Sequence, residues 1–197
     1  PNDVESYTFA ASPTGTQTFT LTHQYLDDNP TGDPINTYTI NATVTDDDSD
    51  ISSDEVPIDV ANVAPTLTLD PVAAIDEDGV ATLTGTIADP GTLDTFTLVV
   101  DWGDPLSPNN IETYTYRASE LRSQTFTLTH QYLDDNPSGD PINTYTINAT
   151  VTDDDALSDR DATDVIVRNV LPTLVVDPVI GFGSVNSKAR IGDTLDL

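Results

Sequence analysis

A thirty-residue segment that occurs twice constrains the fold of this 197-residue chain more than any other feature. Residues 19–48 read FTLTHQYLDDNPTGDPINTYTINATVTDDD, and residues 126–155 repeat them with one change, Thr31 to Ser138. Self-similarity at a fixed spacing is typical of chains built from tandem copies of one structural unit. The fold therefore has to be one that can be repeated end to end.

The same 107-residue offset extends beyond this segment. NVAPTLTLDP at 62–71 corresponds to NVLPTLVVDP at 169–178, so each of these stretches begins a unit. We therefore predict three parts, named here for later use. They are a head segment at 1–61 (the C-terminal part of one repeat), a complete repeat at 62–168, and a tail segment at 169–197 (the N-terminal part of the next repeat).

Apolar and polar residues alternate along most of the complete repeat, as they do in strands with one buried face. In the clearest example, at 142–152, the apolar face consists of Tyr145, Ile147, Ala149 and Val151. The predicted strands span 64–70, 79–88, 95–102, 111–118, 124–132, 142–152 and 162–168. Seven short strands in about 100 residues are typical of an immunoglobulin-like sandwich. We therefore predict an all-β fold of tandem immunoglobulin-like sandwiches, with Trp102 in or beside the core.

The charge distribution excludes several classes of partner. Acidic residues outnumber basic ones by 34 to 6, the formal net charge is −28, and no Lys or Arg precedes Arg117. Such a surface repels phosphates, so we expect neither nucleic acid nor an anionic membrane as a partner. No apolar run approaches the roughly 18 residues of a spanning helix, so membrane insertion is not expected either. Cys is absent, which excludes disulfides.

Aspartates cluster in turns that are predicted to lie at one end of the complete repeat. The TDDD turn after strand 142–152 shares this end with the loop ADPGTLD and with the start of the repeat. Calcium binds roughly six to eight oxygen atoms, and carboxylates packed together without a cation repel one another. We therefore predict a calcium site, against the alternative of a solvated acidic turn. The candidate ligands are Asn62, Asp89, Asp94, Asp153, Asp154 and Asp155.

Three other polar motifs are candidates for a functional role. IDEDG at 75–79 should lie at the opposite end, facing the next repeat, as either a second ion site between repeats or a plain acidic hairpin. His23 and His130 are equivalent positions, and a single His per repeat without Cys favours a structural role over zinc binding. The tripeptide NAT, which begins at Asn41 and again at Asn148, fits the N-glycosylation pattern.

Several of these motifs together resemble a PKD domain. They are VVDWGD (99–104), THQY (129–132), NTYTINATVTDDD (143–155) and NVAPT (62–66), although the chain has WGDP where the family usually has Gly after the Asp. The resemblance implies a β-sandwich that is usually non-catalytic and that spaces, joins or binds. Such modules occur in tandem in large bacterial surface and secreted proteins and beside the catalytic domains of secreted hydrolases. Some members bind calcium at the end described above.

The sequence thus favours a non-catalytic, extracellular or cell-surface structural or adhesive protein, in which calcium stiffens an array or filament of sandwiches. Its partners would be other copies or neighbouring repeats, or the cell envelope or matrix. The alternative is a carbohydrate- or protein-binding accessory module of a secreted hydrolase. An enzyme is not predicted, because no nucleophile–base pair is recognisable.

The head segment raises a question of its own, since the counterparts of 62–107 would precede residue 1. Its apolar face, which includes Phe19 and Ile40, needs a cover. Either the tail segment of a neighbouring copy supplies strands to it, which would build head-to-tail fibres, or the chain continues covalently in a longer polypeptide.

Overall fold

The computed structural model describes residues 4–28, 32–135 and 138–175. Within these ranges it contains ten β-strands and no helix, so the all-β prediction is confirmed. Accordingly, the described part of the chain has no helix of the length and apolar character needed to span a membrane.

Eight of the strands form two sheets within the complete repeat, and their order is that of an immunoglobulin-like sandwich. One sheet has the order β3-β5-β8, and the other has the order β4-β10-β9-β6-β7. The bounds are β3 (Thr66–Leu69), β4 (Ile75–Asp76), β5 (Val80–Ala88), β6 (Phe96–Asp101), β7 (Ile111–Tyr116), β8 (Ser123–Gln131), β9 (Ile142–Asp153) and β10 (Ser158–Arg168). Every pairing is antiparallel except that of β4 with β10.

Two details differ from the predicted strands. Ile75–Asp76, expected within a turn, forms the short strand β4 beside β10, and β10 begins at Ser158 rather than at residue 162. The chain leaves the three-stranded sheet after Leu69 and passes Pro71, whose missing N–H cannot extend the ladder. It then joins the five-stranded sheet, so the first strand of the repeat is divided between the two sheets.

The core lies between the two sheets and consists of the apolar faces that the alternation predicts. Leu83 of β5 and Ile147 of β9 have no exposed surface, and Gly85 leaves room for the ring of Phe126. A Cβ at position 85 would lie only 2.6 Å from Cζ of that ring. Trp102, directly after β6, is fully buried, and its Nε1–H donates to Glu112 Oε2 at 2.9 Å. The predicted place of the tryptophan in the core is therefore confirmed.

The head segment forms only a two-stranded hairpin, β1 (Ile35–Thr45) and β2 (Ile51–Ala61), among its described residues. Residues 19–24 form no strand, although the identical sequence in the complete repeat lies in β8. The reason is that β8 pairs with β5, whose counterpart would precede residue 1. No other strand of the described residues pairs with this segment, and Phe19 is 61% exposed.

The exposure of the head segment leaves the question of its cover open. Ile40 is 41% exposed in this single chain, on the face that its counterpart Ile147 buries. Most of the tail segment proposed as a cover, residues 176–197, lies outside the described residues. Joining of copies head to tail therefore stays a prediction.

Candidate metal centre

Two loops of the complete repeat meet at one end of the sandwich, as predicted. The loop between β5 and β6 carries Asp89 and Asp94, and the hairpin turn between β9 and β10 carries Asp154 and Asp155. They meet because β6 pairs with β9, which places the start of the one beside the end of the other. A hydrogen bond joins the loops directly, since the Thr95 N–H donates to Asp154 Oδ1 at 2.9 Å.

Asp94 has a buried carboxylate without hydrogen-bond partners. It is 1% exposed, and neither carboxylate oxygen accepts a hydrogen bond within the described part of the chain. Asp89 is 5% exposed, and its Oδ1 accepts the Gly91 N–H at 2.7 Å, while its Oδ2 has no hydrogen-bond partner there. A Cβ at position 91 would collide with Asp94 Oδ2, so glycine is the residue that lets the two carboxylates lie close together.

Asp155 is the second carboxylate without hydrogen-bond partners. It is 3% exposed, and both of its oxygens lack a partner among the described residues. The turn that holds it is tight, because Ala156 adopts a positive φ of 67° and the Asp153 N–H donates to Leu157 O at 3.0 Å. Leaving a buried polar group unpaired costs roughly 1–3 kcal/mol, and more when the group is charged. The carboxylates of Asp94 and Asp155 are therefore groups that could hold a cation.

Asn62 and Asp153 also lie at this end, but they contact each other. The Asn62 Nδ2–H donates to Asp153 Oδ2 at 2.8 Å, and Asp153 Oδ1 accepts the Leu157 N–H at 2.8 Å. This pair thus ties the start of the repeat to the hairpin turn and holds the turn's shape. The structure brings all six predicted residues to one end, and the role of each as a ligand stays a prediction.

Two further carboxylates reach the site from the head segment. The ligand atoms of Asp27, Asp28 and Asp94 all lie within 4.8 Å of one another, and Asp28 is 3% exposed. Asp27 Oδ2 also accepts the Leu93 N–H at 2.6 Å. The sequence analysis missed both residues, although a signal was present. In a head-to-tail array, a loop at the far end of one repeat meets the near end of the next.

Burial, together with the neighbouring charges, raises the pKa values of these carboxyl groups. Burial raises the pKa of Asp94 to about 8, and the nearby charges of Asp27 and Asp89 add to the effect. Burial likewise raises the pKa of Asp155 to about 6, with Asp28 as its main charged neighbour. The pKa values of Asp28 and Asp89 are also raised, chiefly by burial. The site therefore resists ionisation of its own side chains unless positive charge is supplied.

This resistance predicts an unusual pH dependence for the metal-free protein. A carboxyl group whose pKa is higher in the folded state than its ordinary value of 3.8 takes up a proton on folding between the two values. Stability should therefore fall as the pH rises from about 4 through about 6 for Asp155 and about 8 for Asp94. Each proton taken up changes the free energy of unfolding by about 1.4 kcal/mol per pH unit.

Thermal unfolding in a chelator between pH 5 and pH 8.5 measures this effect. We expect the melting temperature to decrease steadily over that range, and the Asp94→Asn variant to show a flatter profile above pH 6. A melting temperature that rises with pH in the wild-type chain would contradict the assignment of these buried carboxyl groups.

A second acidic cluster lies at the opposite end of the complete repeat, where IDEDG was predicted to face the next repeat. Glu77, Asp134 and Asp135 place their carboxylate oxygens within 4.8 Å of one another. Glu77 Oε1 accepts the N–H of Val170, in the tail segment, at 2.6 Å. Asp134 and Asp135 are the counterparts of Asp27 and Asp28, one repeat later.

His130 has a packing role in the structure. It is 5% exposed and stacks on Trp102 with ring centroids 5.0 Å apart, and its Nε2 lies 3.4 Å from Asp104 Oδ2. The edge of its ring contacts Tyr132, whose hydroxyl donates to the Trp102 carbonyl at 2.8 Å. The predicted structural role of this histidine is consistent with these contacts. Its counterpart His23 is exposed.

Comparison with solved structures finds distant likenesses to two structures of one domain. One is to the crystal structure of the CARDB domain of a Pyrococcus furiosus protein, described as in complex with di-metal ions. The TM-score is 0.36 at 16% identity over 55% of this chain and 96% of that domain. A solution NMR structure of the same domain gives a TM-score of 0.33 at 14% identity, over 55% of this chain and 98% of that domain. No protein-family model matches the chain, and neither does any curated protein.

Proposed function

We propose that this protein is a non-catalytic structural or adhesive repeat protein in which calcium stiffens an array of β-sandwiches. The observation that carries the proposal is the pair of buried carboxylates, Asp94 and Asp155, whose four oxygens have no hydrogen-bond partner among the described residues. A folded protein buries an unpaired carboxylate only if the group takes up a proton or gains a positively charged partner, and a divalent cation supplies such a partner.

The donor set favours calcium over other metals. Every candidate ligand is a carboxylate or amide side chain on a loop or at a strand end, and calcium takes roughly six to eight such oxygens in flexible geometry. Magnesium prefers strict octahedral geometry with several waters, and zinc prefers nitrogen and sulfur ligands. Neither of the two acidic clusters found among the described residues contains a His, and the chain has no Cys.

The arrangement of the acids supports a mechanical role rather than a chemical one. They lie on loops at the two ends of the complete repeat, and the interior between the sheets is filled with apolar side chains. Each unit would add length, and bound ions would limit bending between units. We propose a location outside the cell or on its surface, where calcium modules work with dissociation constants of about 0.1–1 mM. Its partners would be neighbouring repeats, other copies, and the cell envelope or matrix.

The alternative, an accessory module that binds carbohydrate or protein for a secreted hydrolase, has less support. Such a module commonly presents exposed aromatic rings on one sheet. Tyr114 and Tyr116 are the aromatic residues of β7, and both are half-buried against the core. The exposed face of this strand carries Ile111, Thr113 and Thr115 instead.

Calorimetric titration with calcium, with magnesium as the competing ion, tests the proposal. The wild-type chain should bind calcium in the micromolar to millimolar range, and Asp155→Asn should weaken binding at least ~10-fold, because charged contacts contribute about 1.5–3 kcal/mol. Asp48→Asn is the matched control, since Asp48 is the counterpart of Asp155 in the exposed turn of the head segment. Absence of calcium binding at millimolar concentration would refute the proposed function.

A further inference from the structure

We propose that the cation site is shared between successive repeats, so that Asp27 and Asp28 of one repeat complete the coordination shell begun by the loops of the next. This inference rests on the proposed calcium binding and adds the partner of the site. A bound metal ion would then hold the two repeats together at each junction.

The head segment contacts both loops of the site. Asp27 Oδ2 accepts the N–H of Leu93, in the loop between β5 and β6, at 2.6 Å. On the other side, a Cβ at Gly32 would lie 3.5 Å from the carbonyl oxygen of Asp154, in the turn between β9 and β10. Asp27 and Gly32 therefore both lie at the same end of the sandwich that carries the unpaired carboxylates.

A separate observation indicates that a ligand belongs between these surfaces. Asp94 is 1% exposed, has no hydrogen-bond partner among the described residues, and directs its carboxylate to within 4.8 Å of Asp27 and Asp28. Three carboxylates at this spacing repel one another, and they do so strongly where burial excludes water. Without a cation the repulsion would push the head segment away from the complete repeat. With a cation the same groups attract it.

Because the chain is built from repeats, the arrangement has a direction along the chain and can recur at every junction. Asp134 and Asp135 occupy the positions of Asp27 and Asp28 one repeat later, and they gather with Glu77 at the far end of the complete repeat. Glu77 also accepts the Val170 N–H at 2.6 Å, which fixes the start of the next repeat beside this cluster. Each repeat thus offers a pair of aspartates at one end and the two receiving loops at the other.

The absence of Cys allows a direct distance measurement in the full chain. Spin labels at Val44→Cys in β1 and Ile111→Cys in β7, both 63% exposed, report the distance between the head hairpin and the complete repeat. Pulsed electron resonance should give one narrow distance distribution in calcium and a broad one in chelator. Calcium titration of the same samples gives the affinity.

The decisive variant is Asp27→Asn with Asp28→Asn, and its matched control is Asp134→Asn with Asp135→Asn at the other end. We expect the first pair to weaken calcium binding at least ~10-fold and to leave the distance distribution broad in 1 mM calcium. The control pair should retain the narrow distribution of this junction. If the wild-type chain binds no calcium, the proposed function itself fails. If it binds calcium and the Asp27/Asp28 variant keeps both affinity and narrow distribution, the site belongs to one repeat and only the sharing is refuted.

Discussion

Removal of divalent cations is expected to lower the melting temperature of this protein by about 10 to 20 °C. Calcium at a hundred times its dissociation constant stabilises a folded state by about 2.7 kcal/mol if the unfolded chain does not bind it. A domain the size of the complete repeat loses about 4 to 8 °C of melting temperature for each kcal/mol. Scanning calorimetry with excess calcium and then with chelator measures the difference, and magnesium serves as the control ion.

The Asp94→Asn substitution should change the melting temperature in opposite directions in chelator and in excess calcium. In chelator it should melt at a higher temperature than the wild-type chain, because it removes a buried carboxylate that burial and its neighbours Asp27 and Asp89 hold at a pKa of about 8. In calcium it should melt at a lower temperature, because a ligand is lost. A simple packing defect would instead destabilise the protein in both conditions.

Asp47→Asn is the control for the two opposite effects of Asp94→Asn, since Asp47 is exposed in the hairpin turn of the head segment. It should change the melting temperature by little under either condition, as surface substitutions usually do. A wild-type melting temperature that does not respond to calcium would refute the calcium site. An Asp94→Asn variant that is less stable than the wild type in chelator would refute the account of Asp94 as a destabilising buried charge.

The second large effect is a difference between two identical substitutions. Ile147→Ala in β9 should destabilise the complete repeat by about 2–5 kcal/mol, the usual range for removing a buried large aliphatic side chain. Ile147 has no exposed surface, whereas its counterpart Ile40 in β1 is 41% exposed. Ile40→Ala should therefore cost well under about 1 kcal/mol in the single chain.

Chemical denaturation of the two variants, with the wild-type chain in parallel, gives both free energies of unfolding. The pair is closely matched because the thirteen residues around each isoleucine, Ile35 to Asp47 and Ile142 to Asp154, are identical in sequence. Equal destabilisation by the two substitutions would mean that the head hairpin is covered in solution. That outcome would favour joining of copies or of strands across the apolar face.

Much of the fold could be predicted from local pattern. The alternation at 142–152 placed Ile147 on the buried face of β9, and the Asp-rich turn after it fell at the end of the hairpin. The divided first strand could not be predicted, because β4 has only two residues and exists through its pairing with β10. A two-residue strand has no period to detect.

The candidate site, too, could be predicted from the sequence only in part. Asp89, Asp94 and Asp155 could be assigned to one end from the order of strands, since loops in a sandwich alternate between its two ends. Asp27 and Asp28 could be assigned only to the end of their repeat that faces the next one, because their contact with these loops depends on how the head segment lies against the complete repeat. That placement comes from contacts such as the Asp27–Leu93 hydrogen bond, which join residues far apart in the chain.

The repeated segment shows most clearly which features follow from local sequence and which depend on the tertiary structure. The sequence by itself determined the hairpin, since β1–β2 and β9–β10 have the same register and the same positive φ in the turn, at Ser49 and at Ala156. Only the tertiary structure decided that FTLTHQ forms part of β8 in one copy and no strand in the other. Hydrogen bonds within a hairpin join residues that are close in the chain, so both copies of the sequence form them. A sheet ladder and a buried face instead require β5 and β6, which lie in the complete repeat and far along the chain from the strands β8 and β9 that they pair with.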